Sequence, residues 1–405
     1  MKNIFDNILQ KLNQLAPQTP FAAEFWDGTT EHYGQGEEKF KITIRSEKSI
    51  KSILGGGTLA FGEEYAAGNI DITGDLQEMA RLYGQWQKLA GRLSFGTKAR
   101  ILWNRAFSRH TLAGARKNVR RHYDISDDFY SLWLDPSMTY SGAYFKSEAD
   151  GLETAQRNKY DHICRKLQLK AGDSLVDIGC GWGGMMFYAA KEYGAVCTGY
   201  TLSENQYNYI LETIKRENLD GKVSVHLQDY RKAEGAFDKF VSIGMFEHVG
   251  KRYQKKFFAA IKKILKPQGI GLLHTIGSRA GGATDPWIEK YIFPGGYIPT
   301  LGLIAGNMSE AGLVFYDIED LRLHYARTID LWIKNFESNI GQVKKTMAAQ
   351  LRDEIAAERF ARMWRLYLNA SAVSFKDAGN RLYQILFTNG PNNDLPLTRG
   401  YIYQS

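Results

Sequence analysis

The 405-residue chain reads as an α/β protein: a Rossmann-like, doubly wound sheet with a helical C-terminal lid, preceded by a smaller mixed α/β domain. Three observations predict this. Short apolar runs alternate with helix-compatible stretches between residues 173 and 276, the rhythm of parallel strands joined by crossover helices. A glycine-rich loop, DIGCGWGG (Asp177–Gly184), follows the first of those runs. Before residue 83 the text is mixed segments and turns, and after about residue 327 it turns helical.

Residues 4–15 place Ile4, Phe5, Ile8, Leu9, Leu12 and Leu15 on one helical stripe. We read this as a helix docked on its own domain, against the alternative of a membrane or dimer contact. FWDG (Phe25–Gly28) is predicted as a turn and KFKITIRS (Lys39–Ser46) as a half-buried strand. GGG (Gly55–Gly57) and GNIDITGD (Gly68–Asp75) read as turn or strand-edge text. Residues 83–121 are basic and helix-compatible, ending in GARKNVRRHYD (Gly114–Asp124), which suits phosphate contact or a solvated linker helix. Strands follow at DSLVDIG, AVCTGYTL, KVSVHLQD, KFVSIGMF and GIGLLHTI, with helices over MMFYAAKEY, Glu204–Asn218 and Tyr253–Leu265. All five strands are predicted parallel. The expected domains are residues 1–110, a connector over 111–150, and a catalytic part over 151–405.

Charged residues at 24% and hydrophobic ones at 44% fit a globular protein and exclude disorder, collagen and coiled coil. No run of about 18 apolar residues spans a membrane, and the start lacks a secretory h-region and cleavage site. Cys164, Cys180 and Cys197 have no metal-ligand spacing, so we expect no metal site and no disulfide framework, as in a reducing cytoplasm. The net charge of +8 fits nucleic acid, an anionic membrane surface, or no partner at all. The 23 Tyr, 21 Phe and 8 Trp could line an apolar or cation-stabilising pocket, with ordinary core as the default for most.

A glycine loop after a strand lets the backbone approach a ligand. Asp177 within the turn, together with the absence of dinucleotide spacing, favours S-adenosylmethionine over NAD or FAD. Gly179, Gly181 and Gly183 are the turn-forming positions. Thr201 and Gln206 follow the second strand, where a ribose is held, although Ser203 there also suits a helix cap with Gln206 at its third position. Gln228 and Asp229 follow the third, where a carboxylate can accept from an adenine amino group. All three loops fall at carboxyl ends of parallel strands, the ligand-binding edge of such sheets.

VRRHYDISDDFYSLWLDPSMTYSGAYF (Val119–Phe145), DIGCGWGG, TLSENQ, QDYR, GMFEHVG (Gly244–Gly250), LLHTIGS (Leu272–Ser278) and DPWIEKYIFPGG (Asp285–Gly296) occur in order at fitting spacing. Together they resemble the cyclopropane-fatty-acyl-phospholipid synthase family over about residues 119–390, and residues 21–82 resemble its N-terminal domain more loosely. The resemblance implies methylene transfer from S-adenosylmethionine across a cis double bond of a phospholipid acyl chain, through a carbocation deprotonated by bound bicarbonate. It places Glu247, His274, Tyr325, the Ile276 backbone N–H and Gly142 around that anion, and Tyr140 and Ser141 near the methionine end of the cofactor. The implied partners are an unsaturated phospholipid in a bilayer, an anionic membrane surface and a second copy of the chain, without nucleic acid. The implied location is the cytoplasm, at the inner face of the membrane.

Two departures matter. The family usually writes YSCAYF, and Gly142 stands at the cysteine; an LNAC-like segment reads Leu368–Ser371, with serine last. No thiol is available for a covalent mechanism at either position. Two alternatives stay open: Glu247 as the general base itself, and a related enzyme leaving a methyl branch in place of a ring. A small-molecule or nucleic-acid methyltransferase is the reading from another class.

Overall fold

The computed structural model describes residues 1–90, 125–281 and 284–403. The basic run Gly114–Asp124, and most of the expected helix over 83–121, lie outside the described residues. The chain divides into two compact units, one of residues 1–108, 285–292 and 332–378, the other of 109–284, 293–331 and 379–405.

In the first unit, β1 (Phe21–Glu24), β2 (Thr30–Tyr33), β3 (Phe40–Ile44) and β4 (Ile70–Gly74) form a sheet in the order β2-β1-β3-β4. Alternation in FKITI sets one face of β3 inward, with Ile42 opposite Ile72 and Ile44 opposite Ile70. Phe21 stacks between Tyr33 and Phe40 at 4.7 and 5.1 Å. The first helix, Lys2–Leu15, buries Phe5, Leu9 and Leu12 in its own unit, and Tyr33 donates to its Asp6 at 2.6 Å. Ile4 and Leu15, expected on the same stripe, remain exposed. Gly55–Gly57 form no strand edge. They lie within a helical stretch, Glu47–Ala66, that kinks at Gly57, whose φ of 59° and ψ of −136° only glycine adopts at low cost. The C-terminal helices Ile340–Leu351 and Glu354–Lys376 fall in this unit and not in the catalytic one, where a lid was expected.

The second unit holds a seven-stranded sheet: β5 (Ser174–Ile178), β6 (Val196–Thr201), β7 (Val223–Leu227), β8 (Phe237–Ile243), β9 (Leu265–Ser278), β10 (Leu313–Asp320) and β11 (Asn380–Asn389). The order is β10-β11-β9-β8-β5-β6-β7. The five expected strands are parallel to one another, and so is the chain of pairings β9-β8-β5-β6-β7. The whole sheet is mixed, because two strands beyond the expected five complete it: β11 runs antiparallel between β9 and β10. Strand order reverses at β5, with β6 and β7 on one side and β8 and β9 on the other. The carboxyl ends of β5 and β8 therefore flank the crevice where such sheets bind ligands.

Candidate active site

Loops after β5, β6, β7 and β8 meet the segment Ser137–Ser141 around one pocket. Gly179, Gly181 and Gly183 have φ of 79°, 55° and 86°, a turn that side chains would strain. Gly179 and Cys180 donate backbone N–H to Tyr200 O at 2.9 and 3.2 Å, which pins the loop to β6. Ser203 caps the helix Glu204–Arg216, accepting from Gln206 N, and Thr201 Oγ1 donates to Gln206 Oε1 at 2.8 Å. The capping and ligand-facing readings of this loop therefore coexist, because Thr201 and Gln206 also line the pocket.

Tyr140, Ser141, Asp177, Gly179, Gly181, Thr201, Gln206, Gln228 and Asp229 all line the pocket. Gly183 stands one step back, as the N-cap of the helix Gly184–Glu192. Asp229 is already engaged: Arg231 Nε and Nη2 donate to its two oxygens at 2.7 and 2.6 Å. A carboxylate has about four lone-pair sites, so acceptor capacity remains.

Tyr140 packs on Tyr130 and Trp133 at ring distances of 5.7 and 5.5 Å, and Tyr130 meets Trp182 at 5.2 Å. Of these rings Tyr140 and Trp182 line the pocket, together with Tyr160, Tyr200, Tyr230 and Tyr253. Sequence reasoning missed Lys159, Gln156 and Tyr160 on the helix Leu152–Lys166. Lys159 is fully buried and donates to Ser141 Oγ at 2.9 Å, and Gln156 Nε2 donates to Ser141 O at 2.9 Å. The available signal was polar residues on an apolar helical stripe with Ala155, Ile163 and Cys164. Burial pulls the Lys159 ammonium down to about 7 and pushes the Asp177 carboxyl up to about 7. Asp177 Oδ1 is buried without a hydrogen-bond partner.

The five residues expected around an anion do not line that pocket; they cluster next to β9. Ile276 N–H donates to Glu247 Oε1 at 2.5 Å. Ile276 pairs in register with Leu382 of β11, and a Cβ on Gly142 would come 2.5 Å from Leu382 Cδ2 and 3.1 Å from Tyr325 Cγ. The chain beyond Gly142 hangs on the helical turn that carries Tyr325: Ala143 N–H donates to Thr328 Oγ1 at 2.9 Å and Phe145 N–H to His324 Nδ1 at 3.0 Å. His274, two residues before Ile276 on β9, pairs with Gln384, whose Nε2 is 3.3 Å from His274 Nδ1.

Glu247 is 8% exposed, and burial raises its carboxyl to about 7 against the opposing pull of the Ile276 amide. Burial, with Lys159 and Lys166 nearby, drives His274 well below its usual value, so the ring is neutral. With Nδ1 accepting from Gln384 in this amide orientation, the ring hydrogen sits on Nε2. Glu247 Oε2 and His274 Nε2 are both buried without partners. Unsatisfied buried polar atoms are costly, and two of them on adjoining elements fit a small polar guest.

The chain is similar in structure to a cyclopropane synthase from Mycobacterium tuberculosis, at a TM-score of 0.63 and 33% identity over 70% of this chain and 99% of that one. A mycolic acid cyclopropane synthase solved with S-adenosylhomocysteine and CTAB matches at a TM-score of 0.62 and 32% identity, over 70% and 99%. Sheet, glycine loop and pocket define an S-adenosylmethionine-dependent methyltransferase. The chain belongs to the mycolic acid cyclopropane synthetase family, whose model matches residues 110–385. A cyclopropane-fatty-acyl-phospholipid synthase of Escherichia coli K12 is 37% identical over 90% of this chain and 92% of its own. A probable fatty acid methyltransferase of Pseudomonas putida is 36% identical over 95% and 96%. A model for a domain of unknown function matches residues 5–89.

Proposed function

We propose that the protein transfers a methylene from S-adenosylmethionine across a cis double bond of a membrane phospholipid acyl chain, forming a cyclopropane ring. The observation that carries this reading is the pair of partnerless buried atoms, Glu247 Oε2 on the turn after β8 and His274 Nε2 on the neighbouring strand β9. An alkene is a weak nucleophile, so positioning must do much of the catalysis. The cofactor supplies the electrophilic methyl group. Tyr140 and Trp182 line the pocket, backed by the buried Tyr130 and Trp133, and would offer aromatic faces to developing positive charge at about 0.5–2 kcal/mol each while helping to exclude water.

The residues next to β9 suit a bound bicarbonate, which would supply the base. Glu247 accepts from an O–H or, when protonated, donates; His274 Nε2–H and the Tyr325 hydroxyl donate to anion oxygens. The Ile276 N–H, expected to serve the anion directly, donates to Glu247 and so orients the carboxylate. Gly142 keeps a backbone amide in place of the family's cysteine.

No helix among the described residues is long and apolar enough to cross a membrane. We read the protein as a cytoplasmic enzyme that reaches lipid peripherally, its positive surplus drawn to anionic headgroups at about 1 kcal/mol per nearby Lys or Arg. A second copy of the chain is a candidate partner. The relative named a fatty acid methyltransferase favours a second reading, in which the same carbocation leaves a methyl branch. The test is incubation with labelled methyl donor and unsaturated phospholipid vesicles, followed by mass spectrometry of the acyl chains. Label in a ring supports the first reading, label in a branch the second, and no label in lipid refutes both.

A further inference from the structure

Each of the three amides that follow Gly142 has a partner, and two of those partners are side chains of the helix Arg322–Ser338. Ala143 N–H donates to Thr328 Oγ1 and Phe145 N–H to His324 Nδ1, while Tyr144 N–H, between them, donates to Ala155 O at 3.0 Å. Alternate amides of an extended segment lie about 6.6 Å apart, and positions i and i+4 of a helix are about 6 Å apart along its axis, so the two spacings match. Thr328 directs its one hydroxyl hydrogen to His324 O at 2.7 Å, which leaves its oxygen as the acceptor for Ala143.

The His324 ring is held as well. Tyr144 lies between His324 and His162, nearly parallel to both, with centroids 4.7 and 4.1 Å away. His162, buried on the helix Leu152–Lys166, is fixed in turn by Glu319 Oε2 at 2.8 Å, which Lys166 also engages. The Arg327 guanidinium lies over the Phe145 ring at 4.5 Å. A backbone N–H can only donate, so His324 Nδ1 keeps its lone pair and the neutral ring carries its hydrogen on Nε2. Burial acts the same way, pulling this imidazole below its usual value against the charge of Glu319.

The residues next to this lock are Gly142, just before Ala143, and Tyr325, just after His324. A Cβ on Gly142 would come 3.1 Å from Tyr325 Cγ and 3.3 Å from Tyr325 Cβ, so the two are already in contact.

We propose that His324 is a positioning residue for the reaction: as the acceptor that ties Phe145 to the helix, braced by Tyr144 and His162, it sets Tyr325 against Gly142. This rests on the reading given above, in which those two residues belong to the reacting site.

The test pairs two substitutions in the full chain. His324→Phe keeps a ring in the stack and removes the acceptor; His324→Asn removes the ring and keeps an acceptor oxygen at the reach of Nδ1. Turnover is read as label carried from S-adenosylmethionine into the acyl chains of unsaturated phospholipid vesicles, and S-adenosylhomocysteine affinity is read by calorimetry. His324→Phe should lower turnover about tenfold and leave affinity within about twofold, whereas His324→Asn should hold turnover within about threefold of the unaltered chain. Equal losses in the two variants, unchanged turnover in His324→Phe, or a matching loss of affinity would overturn the proposal. Should His324→Phe fail to fold, His324→Asn decides alone: a loss of about tenfold there refutes it. Lipid left unlabelled by the unaltered chain would refute the reading on which this rests, and the proposal with it.

Discussion

The Ile276 backbone amide donates to the Glu247 carboxylate at 2.5 Å, joining the turn after β8 to the strand beside it. One oxygen of Glu247 is thereby fixed, and the other is left buried and partnerless. A carboxyl held in this way is poised to orient a guest, at a cost to the folded state.

That cost has a definite pH dependence. Burial moves the Glu247 carboxyl from its usual 4.5 to about 7 in the folded chain. Below about 4.5 both folded and unfolded states hold the proton, and the group is neutral in its effect. Between those values the unfolded state ionises first, so stability falls as pH rises; above about 7 a penalty of roughly 3 kcal/mol persists. Glu247→Gln should raise Tm at pH 8 and leave it unchanged near pH 4. A variant with equal or lower Tm at pH 8 would contradict the burial cost assigned to this group.

Gly142 is expected to tolerate no side chain while Leu382 keeps its place, because a Cβ there would lie 2.5 Å from Leu382 Cδ2. Overpacking of this kind costs about 1–3 kcal/mol. Gly142→Ala should lower Tm, and Gly142→Ala with Leu382→Val should be more stable than the two separate losses add up to. Thermal unfolding of the four proteins measures the coupling, and simple additivity would speak against the contact.

Asp229 accepts from Arg231 through both oxygens and retains acceptor capacity toward the pocket. Asp229→Asn should weaken S-adenosylhomocysteine by about tenfold, the loss of one charge-assisted hydrogen bond. The inosine analogue, whose ring carries a keto group where adenine has its amino group, should lose nothing. Equal losses in the two titrations would place the adenine elsewhere.

The catalytic half of the fold was legible because its strands are short, apolar and bounded by turns. DSLVDIG, AVCTGYTL and KVSVHLQD became β5, β6 and β7 with their loops on one edge. β11 was not legible: NRLYQILFTN is buried on both faces and shows no alternation, so a neighbouring helical pattern absorbed it. Gly55–Gly57 misled for the opposite reason, since three glycines resemble a turn while the helix on either side tolerates a break at Gly57. At the site, motif residues such as Glu247 and His274 were found from sequence. Lys159 was hidden, because only the tertiary contact with Ser141 gives a buried helical lysine its meaning.

Paired measurement on Glu247→Ala tests the central claim most directly: S-adenosylhomocysteine affinity by calorimetry, and modified acyl chains by mass spectrometry after incubation with S-adenosylmethionine and unsaturated phospholipid vesicles. The account requires affinity close to that of the unaltered chain and no modified lipid. Turnover retained in that variant would contradict the role given to Glu247.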